Sequence, residues 1–181
     1  MKHWQKHFAE FLGTALLLCA VIGSGIMADN LSQGHAGIAL LANTLATVFA
    51  LYVLIEALGP VSGAHFNPAV SLIMWHQQKL SRSLLVGYVF MQLLGAWVGA
   101  CLANAMFDLD VIQVSTHTRT GVGQWLSEVV ATAGLVWVIF RAAPDKAAPM
   151  VAARCPYTLR TWSSVAGMRP LFKYSAAVAW A

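Results

Sequence analysis

Four stretches of the chain are almost entirely apolar and are each long enough to be a membrane-spanning helix. They cover about residues 8–28, 36–58, 83–107 and 123–140, and no charged residue lies between Glu10 and Asp29 in the first. About 20 consecutive apolar residues cross the hydrocarbon core of a bilayer as a helix. The pattern therefore predicts an all-α membrane protein with four full spans in this part of the chain. In the third of them, Gly95 and Gly99 form a Gly-x-x-x-Gly pattern, which suits close helix contact.

A fifth apolar stretch is too short to cross a bilayer. It follows a Gly/Pro-rich stretch, 59–64, and runs only from Asn67 to about Trp75. Nine residues of helix reach about 14 Å, roughly half the thickness of the hydrocarbon core. Irregular backbone at membrane depth is tolerated where it lines a cavity or is buried in protein. Residues 60–76 are therefore predicted to form a re-entrant segment: a loop that dips into the bilayer and a half-helix that returns.

Composition and charge agree with this interpretation. The 181 residues are 59% hydrophobic and 10% charged, whereas soluble domains carry about 25% charged residues. The net charge of +4 is scattered and shows no basic face with interleaved aromatic residues, which argues against nucleic-acid binding. Positive charge instead predicts a cytoplasmic N-terminus, because only Arg119 would lie outside. The predicted inner side holds Lys2, Lys6, Lys79, Arg82, Arg141 and Lys146.

The chain repeats a short pattern. Residues 9–14 read Ala-Glu-Phe-Leu-Gly-Thr and residues 127–132 read Ser-Glu-Val-Val-Ala-Thr, so both contain Glu-x-x-small-Thr. Three spans separate the two copies, and their helices therefore point in opposite directions. This is the pattern of an inverted-topology repeat.

The residues around Asn67 suit a half-helix that begins inside the membrane. Asparagine is favoured at the N-cap and proline at the first helical position, where its missing N–H needs no partner. Gly63 and Ala64 are small enough to leave backbone carbonyls exposed along a narrow path. The bare tripeptide Asn-Pro-Ala is more often an ordinary helix start, so the surrounding loop and spans give the motif its meaning.

In this context the chain resembles the aquaporin, or major intrinsic protein, family and looks like a bacterial-type member. The resemblance covers about residues 7–153, with Ala9 to Thr14, Ser62 to Val70, Gln92 to Gly99, and Glu128 with Thr132. It implies a passive channel for water without any cofactor or metal, and assembly as a homotetramer in the cell membrane, with a bacterial inner membrane favoured. Its implied pore-lining residues are Gly63, Ala64, His65, Asn67, Pro68, Ala69 and Thr47.

Two further roles follow from the same resemblance. Glu10 and Glu128 are expected to brace re-entrant loops by accepting backbone hydrogen bonds, which we favour over proton transfer. Thr47 takes the place of a bulky aromatic residue that water-selective members tend to carry, so small neutral solutes such as glycerol or metalloid acids are candidate substrates. The alternative for Thr47 is simple packing.

The C-terminal part departs from the family pattern. The spacing of the repeat would place a second Asn-Pro-Ala segment beyond residue 181, and the region 154–181 introduces several Arg and Pro residues instead. We therefore expect an aquaporin-like region over 1–153, an incomplete second half and an atypical tail, explained by a frameshift, early termination or a natural short form. The alternative function is a non-conducting membrane protein that associates with intact relatives. No nucleophile–base set or metal cluster supports an enzyme.

Overall fold

The computed structural model describes residues 2–112 and 121–141, except for the side chains of residues 124 and 139–141. All regular elements in this part of the chain are helices. The atypical tail lies outside the described residues, as do Arg119 and Lys146. In chain order the helices are α1 (His3–Leu31), α2 (Ala36–Ser62), α3 (Pro68–His76), α4 (Arg82–Met106) and α5 (Val122–Arg141).

Three of these helices are long and apolar enough to cross a membrane. They are α1, α2 and α4, with 29, 27 and 25 residues. The expected span at 123–140 corresponds to α5, in which the apolar part is the shorter segment Trp125–Val138. The prediction of an all-α membrane protein is confirmed.

The closest helix contact joins α1 to α4 and depends on the two glycines of the Gly-x-x-x-Gly pattern. A Cβ atom on Gly95 would lie 2.5 Å from the carbonyl oxygen of Phe11, and one on Gly99 would lie 2.2 Å from that of Ala15. Both distances are shorter than any real carbon–oxygen contact. The α1 and α4 backbones therefore touch directly, as small residues permit in membrane helices.

The contact between α1 and α2 is made by larger apolar side chains. Leu17 of α1 packs with Leu51 and Leu54 of α2, and Phe66 of the following loop completes the cluster. On the opposite face of α2, Phe49 is 65% exposed, as expected where a helix meets lipid.

The short helix α3 lies in the segment predicted to be re-entrant. Helix α2 continues to Ser62, past Pro60 and about four residues beyond the expected end of its span. A proline in the last turn removes one hydrogen bond and leaves the preceding turns intact. Gly63 then ends the helix with a left-handed φ of 94°, and its N–H donates to the carbonyl of Gly59. Five residues, 63–67, connect this cap to α3.

Candidate functional site: the loop between α2 and α3

The loop 63–67 has an unusual backbone. After Gly63, Ala64 and Phe66 also have positive φ angles, 50° and 49°. Residues with a Cβ atom rarely adopt this region, and each costs about 1–2 kcal/mol relative to the right-handed conformation. The loop must therefore be held in place by contacts with the rest of the protein.

Glu10 of α1 supplies most of these contacts. Its side chain is fully buried. One carboxylate oxygen, Oε1, accepts hydrogen bonds from the Ser62 hydroxyl at 2.6 Å and from the His65 backbone N–H at 3.0 Å. The other, Oε2, accepts from the Phe66 backbone N–H and from Gln92 Nε2, both at 2.8 Å. Four donors on three elements thus converge on one carboxylate.

Side chains from α3 and α4 close this network into a ring. Gln92 Nε2 also donates to Ser71 Oγ at 3.0 Å, and Ser71 Oγ lies 3.0 Å from His65 Nδ1. The Tyr88 hydroxyl donates to the Ser62 carbonyl at 2.7 Å, and its ring meets that of His65 edge-on at 5.3 Å. The loop is therefore tied to α1, α3 and α4 at once.

An apolar anchor supplements the polar network. Phe66 is 2% exposed, and a Cβ atom on Gly13 would lie 2.0 Å from its ring. Position 13 must therefore be glycine for the ring to fit against α1. This places the glycine of the Ala9–Thr14 pattern directly under the loop.

Asn67 begins α3 and keeps a free donor. Its Oδ1 accepts the Ala69 backbone N–H at 2.8 Å, with Pro68 at the first helical position. The amide nitrogen Nδ2 makes no hydrogen bond to the described residues. The buried side-chain atoms that lack a partner in this part of the chain are His7 Nε2, Gln92 Oε1 and Glu128 Oε1. Asn67 Nδ2 is not among them, so this donor is accessible.

The loop also offers acceptors. Within residues 2–112 and 121–141, no hydrogen bond is made to the carbonyl oxygens of Gly63, Ala64 or His65. A carbonyl oxygen can accept two hydrogen bonds, so three acceptors precede the Asn67 donor along the loop.

Thr47 lies on α2, apart from the loop. It is fully buried, and its hydroxyl donates to the carbonyl of Asn43 at 2.9 Å. Asn43 is itself 2% exposed, and its Oδ1 accepts the hydroxyl of Ser24 on α1 at 2.7 Å. Asn43 and Thr47 of α2 thus form a second polar group with Ser24, separate from the Glu10 network.

Glu128 lies on α5, and the structure does not bring it to the loop 63–67. It borders a groove of about 640 Å³ between α5 and α3, together with Ile73 and Thr132. Its Oε1 is buried and has no partner among the described residues. The two glutamates of the repeat therefore differ within residues 2–112 and 121–141: Glu10 binds a loop, and Glu128 has a buried oxygen without a donor there.

Sequence reasoning did not single out Ser71, Tyr88 or Asn43. Their partners lie on other helices, and contacts between helices depend on helix rotation, which local patterns do not specify. One signal was present: a polar side chain inside an apolar span is a functional candidate. Applied to α2 and α4, that rule would have selected Asn43 and Tyr88.

Comparison with known proteins places the chain in a family. The family model described as "Major intrinsic protein" matches residues 1–159. The chain is 54% identical over 135 residues to the aquaglyceroporin AqpS of Rhizobium meliloti, covering 75% of this chain and 58% of that protein. It is 33% identical to the aquaporin AqpM of Methanothermobacter marburgensis, covering 80% and 68%, and 33% identical to aquaporin NIP3-1 of Arabidopsis thaliana, covering 80% and 46%.

The matched region thus spans about half to two thirds of the length of these relatives. Proteins of this family are channels and not enzymes, in agreement with the sequence prediction. The family match, the three apolar helices and the loop that leads into Asn67-Pro68-Ala69 all agree, and the chain belongs to the major intrinsic protein family.

Proposed function

We propose that this protein provides a passive path through the membrane for water and small neutral solutes. The observation that carries the proposal is the loop 63–67. It combines three carbonyl acceptors at Gly63, Ala64 and His65 with the amide donor of Asn67, and the buried carboxylate of Glu10 holds it rigid.

Such a lining replaces the hydrogen bonds that a small molecule gives up when it leaves bulk water. A molecule moving in single file donates to successive carbonyls and accepts from Asn67 Nδ2 where the carbonyl row ends. The N-terminus of α3 carries partial positive charge and faces the same point, which disfavours cations. Pore diameter, lining hydrogen-bond groups and half-helix dipoles are the general sources of selectivity in aquaporin-type pores.

Rigidity is the proposed contribution of Glu10. A loop with two strained non-glycine residues keeps its carbonyl row only while its N–H groups are bonded elsewhere. We propose the corresponding role for Glu128, on a second loop segment. Its support is the repeated Glu-x-x-small-Thr pattern and a buried Oε1, beside the groove at Ile73, that has no hydrogen-bond partner among the described residues.

The proposed solutes include glycerol and undissociated metalloid acids. We propose that Thr47, which is fully buried in the structure, borders the path, where its short side chain would add less bulk than a larger residue. The name of the Rhizobium meliloti relative, an aquaglyceroporin, points the same way.

We further propose a cytoplasmic N-terminus and a homotetramer in the cell membrane. The basic residues support the orientation: Lys2, Lys6, Lys79 and Arg82 would share one side with the N-terminus. Labelling a single cysteine introduced near Lys79 from each side of the membrane tests the orientation. Cross-linking in lipid tests the oligomer.

The decisive experiment is stopped-flow light scattering on liposomes containing the full chain. Wild-type protein should raise water permeability above that of empty liposomes and allow reswelling in glycerol. Asn67→Ser is the sharpest variant, because serine still caps α3 but removes the amide donor. It should lower both permeabilities while the helical content stays unchanged.

Permeability equal to that of empty liposomes would overturn the proposal. The alternative, a non-conducting membrane protein that associates with relatives of full family length, would then be tested by co-purification with such a relative.

A further inference from the structure

A second polar group lies inside the membrane region, at the far end of α2 from the loop. Asn43 and Thr47 are 2% and 0% exposed and lie one helical turn apart. Leu51 and Leu54 continue the same face toward the loop and pack on α1. Polar side chains buried at membrane depth cost several kcal/mol unless they are hydrogen-bonded. Each polar atom here therefore needs a partner, and the partners can be followed one by one.

Most of these atoms are satisfied by the protein. The Thr47 hydroxyl donates to the Asn43 carbonyl, and the Ser24 hydroxyl donates to Asn43 Oδ1 at 2.7 Å. In the structure the amide oxygen of Asn43 faces Ser24 on α1, and the amide nitrogen lies on the other side of the group.

The nitrogen Nδ2 of Asn43 remains without a partner in the described part of the chain. The buried side-chain atoms without a hydrogen-bond partner in this part of the chain are His7 Nε2, Gln92 Oε1 and Glu128 Oε1. Asn43 Nδ2 is not among them. The nitrogen of Asn43 is thus not completely enclosed, although the residue as a whole is only 2% exposed. Asn67 has the same arrangement, since its oxygen is bonded to the protein and its nitrogen is accessible.

The two donors lie at different depths. Helix α2 is about 40 Å long, and Asn43 lies about 10 Å from its Ala36 end. The loop that carries Asn67 is attached at the other end, after Ser62. Asn43 is therefore close to the membrane face opposite the attachment of the loop.

We infer that Asn43 is a second solute-contacting residue and helps to determine which neutral molecules pass. This inference rests on the proposed function. The Nδ2 amide supplies two N–H donors, which suit a solute with several oxygen atoms, such as a polyol or an undissociated oxyacid. Ser24 is a positioning residue, because it acts only by fixing the Asn43 amide.

Permeability of liposomes containing the full chain gives the first test. Asn43→Leu should lower glycerol permeability about tenfold, the effect of losing about one hydrogen bond, and change water permeability less than threefold. The Ser24 hydroxyl oxygen lies 3.3 Å from the carbonyl oxygen of Val21, so the hydroxyl still has an acceptor when Asn43 is replaced by leucine. Ser24→Ala should have a smaller effect, and the double variant should be no worse than Asn43→Leu.

Asn104→Leu is the matched control, because Asn104 lies on α4 and donates to the Val111 carbonyl at 3.4 Å. It should leave the ratio of glycerol to water permeability unchanged. An Asn43→Leu variant with an unchanged ratio would overturn the inference.

A second measurement does not depend on conduction. The chain contains four asparagines, at positions 30, 43, 67 and 104. In protein labelled with ¹⁵N-asparagine in nanodiscs, added glycerol should shift the side-chain NH₂ signals of Asn43 and Asn67 but not those of Asn30 and Asn104. If wild-type liposomes do not conduct, the proposed function fails, whereas a shift at Asn43 still supports solute contact. No shift at Asn43 overturns the inference in either case.

Discussion

Replacing Glu10 by glutamine tests how much the loop depends on a single carboxylate. The side chains have nearly the same shape, but one oxygen becomes an NH₂ group. In one amide orientation this group faces the Ser62 hydroxyl, which can accept, and the His65 N–H, which cannot. In the other it faces Gln92, which can rotate its own amide, and the Phe66 N–H, which cannot.

Either orientation therefore leaves one backbone N–H of the loop without an acceptor. A buried donor without a partner costs about 1–3 kcal/mol. Taking about 2 kcal/mol, and about 1.4 kcal/mol for each factor of ten, opening of the loop becomes about 30-fold more frequent. The rest of the protein should be affected much less, because α1 packs on α4 through apolar and backbone contacts.

Amide hydrogen exchange, read by mass spectrometry of the full chain in detergent, measures this directly. Peptides that contain His65 and Phe66 should exchange about 30-fold faster in Glu10→Gln, and peptides from the α1–α4 contact should be unchanged. Glu56→Gln is the control, because Glu56 is an exposed glutamate on α2. Equal exchange at the loop in wild type and Glu10→Gln would refute the bracing role.

Three further substitutions test other contacts. Gly99→Ala should lower the free energy of unfolding by about 1–3 kcal/mol, because the new methyl group would lie 2.2 Å from the carbonyl oxygen of Ala15. Gly37→Ala is the control and should be neutral, since nothing lies within 4 Å of a Cβ atom at that position. Thr47→Phe should reduce the glycerol permeability of liposomes more than their water permeability, with Thr47→Ser as control. Equal relative losses of the two permeabilities would contradict a role of Thr47 in solute selectivity. Tyr88→Phe removes the hydrogen bond to the Ser62 carbonyl and should lower the free energy of unfolding by about 1 kcal/mol. An unchanged midpoint of thermal unfolding would contradict the role of Tyr88 in holding the loop.

Some features of the site follow from local sequence rules. The start of α3 needs only the preferences of asparagine for the N-cap and proline for the first turn, and the structure shows both. The Gly-x-x-x-Gly spacing likewise predicts a close helix contact at Gly95 and Gly99, and the structure shows that the partner, which the spacing does not specify, is α1.

Other features could not be predicted in this way. The bond between Glu10 and Gln92 joins residues 82 positions apart, and that between Gln92 and Ser71 joins residues 21 apart. Such contacts depend on how each helix is rotated about its axis, which an almost uniformly apolar helix does not reveal. For the same reason, the hydrogen bond between Ser24 and Asn43 could not be predicted from the sequence. The continuation of α2 through Pro60 was missed because a proline usually marks a boundary but is tolerated in a last turn.

Glu10 and Gln92, the last of its partners to be synthesised, are 82 positions apart in the sequence, and this affects how the protein is made. At about 5–20 residues per second, the ribosome reaches Gln92 about 4–16 s after Glu10. Ser62, His65 and Phe66 are made earlier than Gln92, so the carboxylate has at most three of its four donors until α4 is made. Glu10 lies toward the N-terminal end of α1, where an acidic residue costs less than at the centre of a lone helix, for which insertion scales give about 2.5–3.5 kcal/mol. Because Gln92 is the last partner to be made, the network around Glu10 is expected to be completed only after α4 has entered the membrane, which makes the rigid form of the loop a late product of synthesis.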